Sequence, residues 1–141
     1  MKVVVIDGQG GGIGKALVEQ LKHALPDQPI LAVGTNALAT TAMLRAGAEM
    51  GATGENAVRV CARDADVIVG PIGIVLADAM MGEITPEMAQ AVGASSAQKI
   101  LVMAGRCHIK IAGWTERPVG ESIQDAVHAV CVYAEEKGEN A

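Results

Sequence analysis

A chain of 141 residues, half of them hydrophobic, can bury one core without disulfides or metals and is too short for two full domains. Its formal charge of -5 and the lack of any lysine or arginine run exclude a surface for phosphate backbones, and one Trp, one Tyr and no Phe exclude a base-stacking platform. No nucleic-acid partner is expected. Cys61, Cys107 and Cys131 are widely spaced, form no Cys-x-x-Cys pair and follow no signal peptide, which points to a reducing cytoplasm. The apolar stretch over residues 66–81 is broken by Gly70, Pro71, Gly73 and Asp78, so no membrane span is expected. A mean hydropathy of +0.32 is high for a small monomer and leads us to expect a homo-oligomer.

Residues 3–6 are a continuous β-branched run, as in a strand buried on both faces. Ile13, Ala16, Leu17, Leu21 and Ala24 then recur at helical spacing until Pro26. Residues 30–33 form a second strand, after which Thr35 or Asn36 can cap a helix that Gly47 ends in a left-handed turn. Thr53 or Gly54 precedes a short helix over 55–63, and residues 67–69 make a third strand ending at Gly70 and Pro71. A buried helix is expected over 73–81, and Thr85, Pro86 and Glu87 give a cap, an N1 proline and a first-turn acid for the next helix. Residues 99–103 are the fourth strand and 108–112 a candidate fifth. Ile123, Ala126, Val127, Val130, Cys131 and Ala134 line one face of a last helix starting within 118–121, and residues 137–141 are a polar tail to a domain spanning 1–136.

Strands alternating with helices imply parallel strands and right-handed crossovers. The expected fold is α/β, a single three-layer, Rossmann-like open sheet of four or five mainly parallel strands with helices on both faces. Ligands of such sheets bind beyond the carboxyl ends of the strands, where strand order reverses. The loops after Ile6, Val33, Val69 and Met103 gather there.

The first of these loops, DGQGGGIGK, holds five glycines within residues 8–14. A Walker loop fails at Gln9 and Ala16, and the G-x-G-x-x-G fingerprint fails at Ile13. Gly8, Gly12 and Gly14 satisfy G-x-x-x-G-x-G, which resembles the opening loop of short-chain dehydrogenases. Glycines there let backbone N–H groups approach an anion at a helix N-terminus, where the macrodipole favours negative charge. Two features oppose a dinucleotide. The carboxylate that would take ribose hydroxyls about 20 residues on is missing, since Gly34, Thr35 and Asn36 end the second strand. Asp7 sits where those dehydrogenases carry a small hydroxylic residue, and its charge repels a phosphate unless Lys15 or a metal screens it; its structural role would be to accept hydrogen bonds from the loop's own amides and stabilise the turn.

Candidate ligand contacts are therefore Asp7, Gly8, Gln9, Gly10, Gly11, Gly12, Ile13, Gly14 and Lys15 in the loop, and Thr35, Asn36, Glu55, Asn56, Gly70, Pro71 and Arg106 at neighbouring strand ends. The expected partner is a small anionic ligand, with NAD(P) or another nucleotide as the candidate cofactor and no metal. Tyr133 and Lys137 match the Tyr-x-x-x-Lys dyad of short-chain dehydrogenases, but Ser122 lies about 16 Å away along the same helix at 1.5 Å per residue, too far to join them. Arg106, Cys107 and His108 bring a cation, a thiol and an imidazole to the ligand edge, without metal-ligand spacing. Glu83 reads as a solvated loop residue, and Met80 and Met81 as core or interface filler.

The segments DGQGGGIGKALVEQL, VGTNALAT, GATGENAV and VGPIGIVLADAMMGEITPEMA, spread over nearly the whole chain, resemble the bacterial domain of unknown function 3842 family. The resemblance implies a small stand-alone cytoplasmic domain and names no catalytic residue. The function expected is binding of a nucleotide-like or other phosphate-bearing small molecule at the glycine loop. The alternative is a non-catalytic oligomeric or regulatory module on the same scaffold.

Overall fold

The computed structural model describes residues 1–104 and 108–139. Five strands, β1 (Val3–Asp7), β2 (Ile30–Gly34), β3 (Met50–Thr53), β4 (Val67–Pro71) and β5 (Gln98–Val102), form one sheet in the order β3-β2-β1-β4-β5. Every pairing is parallel, so this is the expected α/β sheet with five strands. The helices are α1 (Gly12–Ala24), α2 (Ala37–Arg45), α3 (Glu55–Arg63), α4 (Pro86–Ala94) and α5 (Val119–Glu139).

The β-branched run of β1 is buried along its whole length because helices cover both of its faces. Val3 and Val5 pack with Leu17, Leu21, Met43, Ile123 and Val130, from α1, α2 and α5. Val4 and Ile6 point the other way, onto Val58, Ala62, Met88 and Val92 of α3 and α4. Alternation along one strand thus feeds two separate cores, which makes three layers.

Local signals set most boundaries. The Asn36 side chain accepts from the Ala39 amide and starts α2, while Thr85 accepts from the Met88 amide ahead of Pro86 and starts α4. Gly47 has φ +122°, as the turn after α2 requires.

Three expectations are corrected and one strand is added. β3, over residues 50–53, has no counterpart among the expected elements; it is an edge strand of four residues, mostly exposed, and carries no hydrophobic pattern to announce it. Residues 73–81 are not a helix: a short 3₁₀ turn over Ile72–Val75 gives way to turns in which Asp78, Met80 and Met81 take positive φ. Residues 108–112 are not a strand: Ile109 and Ile111 are exposed, and among the described residues β5 pairs only with β4. α5 runs on to Glu139, so Lys137 is helical rather than part of a tail.

Candidate functional site

β1 lies between β2 and β4, and the chain moves to one side of it through α1 and α2 and to the other through α3. Strand order therefore reverses at β1, and the loop of residues 8–14 stands at that switch point. Gly70 lets β1 and β4 come close there, since a Cβ on it would lie 2.3 Å from the Ile6 carbonyl oxygen. Gly70 and Pro71 are both buried in the strand.

Asp7, 4% exposed, is the polar floor of the loop. Its Oδ1 accepts from the Gly8 amide and its Oδ2 from the Gly14 amide, each at 2.7 Å. Burial pushes its carboxyl above the ordinary value; the Gly14 and Gly8 amides pull the other way, and the nearby Glu83 charge adds to the rise. The Gly11 amide donates to the Gly8 carbonyl at 2.9 Å and closes the turn, with Gln9 and Gly11 at φ 49° and 72°. Most loop amides are thus held by the protein itself. Gly10 and Gly12 are the exception: both are exposed, nothing lies within 4 Å of where a Cβ would stand on either, and their amides make no hydrogen bond among the described residues.

A carboxylate reaches the end of β2 from the segment after β4. Glu83 Oε1 accepts from the Gln9 amide at 2.8 Å, Thr35 Oγ1 at 2.6 Å and Asn36 Nδ2 at 2.8 Å. These bonds, led by that from Thr35, hold the Glu83 carboxyl below its ordinary value although partial burial opposes them. Glu83 is therefore not a solvated loop residue. It bridges the β1–α1 loop to the end of β2, and Asn36 ties the same two elements through a 3.0 Å bond from its Nδ2 to the Gln9 carbonyl. The signal that could have found it is turn chemistry: a lone acid beside Gly82, φ 92°, in a run of positive-φ residues.

The remaining candidates divide. Thr35 and Asn36 lie against the loop, bonded to Glu83 and, for Asn36, to the Gln9 carbonyl. Lys15 is exposed on the first turn of α1 and makes no ion pair among the described residues. Glu55 accepts from Thr85 Oγ1 and so links the starts of α3 and α4, and Asn56 is exposed beside it. Arg106 and Cys107 lie outside the described residues, and His108 is exposed. Met81, expected as filler, is 97% exposed at the tip of its turn. Beyond the carboxyl end of β5, a recess of about 780 Å³ is lined by Met103, Ile109, Trp114, Arg117 and Val119.

Among the described residues no group of three or more His, Cys, Asp or Glu could hold a metal ion, and no helix is long and apolar enough to cross a membrane. The family model described as domain of unknown function (DUF3842) matches residues 2–135. The chain belongs to this family. No curated protein and no solved structure matches it.

Proposed function

We propose that this DUF3842 protein binds a phosphate-bearing, nucleotide-like small molecule at the carboxyl edge of its sheet, with the phosphate on the Gly10 and Gly12 amides. The carrying observation is the open start of α1: its N-cap is Gly11, no side chain caps it, its first turn holds no acid, and space is free over Gly10 and Gly12. Unpaired amides at a helix N-terminus on a topological switch point suit an anion. Lys15 adds an exposed positive charge one turn in, and the Asp7 carboxylate below is turned onto the Gly8 and Gly14 amides.

Thermal melts with NAD, NADP, ATP and nucleoside monophosphates test this reading. A binder at a hundred times its Kd adds about 2.7 kcal/mol and raises Tm by several degrees. Gly10→Ala, which meets no neighbour within 4 Å, should leave the unliganded melt unchanged and shrink that shift. No shift with any of the four classes refutes the proposal.

The second reading, a non-catalytic module that assembles with copies of itself, is favoured by one observation. The Gly8, Gln9, Gly11 and Gly14 amides are already satisfied within the chain, as in a loop whose only task is its own turn. Sedimentation would then show an oligomer whose mass and stability ignore every nucleotide.

A further inference from the structure

Three donors of different chemistry converge on one oxygen at this edge: a backbone N–H from Gln9, a hydroxyl from Thr35 and an amide N–H from Asn36 meet Glu83 Oε1 within 2.6–2.8 Å. Such a set is what an enclosed phosphoryl oxygen needs, and it lies between the β1–α1 and β2–α2 loops. The carboxylate filling it is not rooted in either loop. It sits at the end of a turn whose two ends are tied together, with the Asp78 amide on the Ile84 carbonyl at 2.7 Å and the Ile84 amide on the Ala79 carbonyl at 3.1 Å. Within that turn Asp78, Met80 and Met81 hold φ of 66°, 58° and 57°, a region non-glycine residues seldom occupy, and its tip is almost fully solvated. Met80 closes the crevice from the same side, its Sδ 2.7 Å from where a Gly8 Cβ would stand.

We propose that Glu83 is an internal substitute for the ligand's anion: the 78–84 turn is a plug that keeps the Gln9–Thr35–Asn36 cradle filled, and a phosphoryl ligand must displace it to bind in full. This rests on the reading of the edge as a ligand site. In the closed form the ligand has only the Gly10 and Gly12 amides. In the open form it gains the three cradle donors and loses a fixed negative charge from beside its phosphate. Apparent affinity is reduced by the fraction of molecules that are closed.

Calorimetric titration of AMP, ATP and inorganic pyrophosphate into the wild type, Glu83→Ala and Glu83→Gln tests the plug, with the melt of each variant as a check on folding. Glu83→Ala should bind at least about tenfold more tightly than the wild type, and Glu83→Gln, which keeps the shape without the charge, should fall between them. Hydrogen exchange on the wild type should show ligand-induced loss of protection at the Asp78, Gly82 and Ile84 amides. Equal or weaker binding by both variants, or binding that leaves those amides unchanged, overturns the plug and leaves the ligand reading standing. Failure of all three proteins to bind any of the three probes overturns the ligand reading and the plug with it.

Discussion

Asp7→Asn separates the loop's internal support from its ligand chemistry. The carboxylate gives one oxygen to the Gly8 amide and the other to the Gly14 amide, both buried. An asparagine offers one acceptor and turns an NH₂ toward the second amide, so one buried N–H loses its partner, at about 1–3 kcal/mol. Removing a buried charge returns part of this, since desolvation is what raises the Asp7 pKa. The net loss at neutral pH is about 1–2 kcal/mol, or roughly 3–7 °C in Tm for a domain of this size. The pH dependence has a definite sign. The folded-state pKa lies above the unfolded value near 3.8, so the contribution of this titration to stability is complete below that value and is lost as pH rises through the folded one. The gap between wild type and variant should therefore be widest in acid and narrow toward neutrality. Calorimetric melts of both proteins from pH 3.5 to 8 measure it, and an unchanged melt at pH 7, or a gap that widens with rising pH, would refute the reasoning.

Two further substitutions test the frame around the site. Gly70→Ala puts a methyl 2.3 Å from the Ile6 carbonyl oxygen, a backbone atom no rotamer change can move, so β1 and β4 must part; a loss of about 3 kcal/mol is expected as a lower urea midpoint, and a midpoint within experimental error of wild type would show that the strands can spread freely. Thr85→Ala removes the acceptor of the Met88 amide and the partner of Glu55, and should cost about 1–2 kcal/mol in the same titration; an unchanged midpoint would mean that α4 needs neither.

Most of the frame was legible because its signals are local. The run of Val3, Val4, Val5 and Ile6, the caps Asn36 and Thr85, and the spacing of Ile123, Ala126, Val127 and Val130 each act over a few residues and each gave the element observed. β3 was not legible because Met50, Gly51 and Thr53 are exposed at the sheet edge, and its register is set from outside by Leu31, Ala32, Val33 and Gly34. The apolar residues from 72 to 81 suggested a buried helix, yet only Ile72, Gly73 and Ile74 go inside before positive φ turns the chain outward to expose Met81.

The site was half legible, and the division follows sequence distance. Asp7, the glycines, Thr35 and Asn36 belong to strand ends that any parallel sheet would gather, so topology alone was enough to find them. Glu83 reaches Thr35 across 48 residues, from a turn whose geometry no periodicity encodes. Its arrival changes the chemistry that the glycine loop suggests, because it brings a carboxylate to the end of β2 that spends one oxygen on the protein's own donors. Whether that oxygen is a fixed part of the turn or a place held for a phosphate depends on the equilibrium of the 78–84 segment. Removing the carboxylate shifts that equilibrium in a known direction, so the sign of the affinity change at position 83 decides between the two.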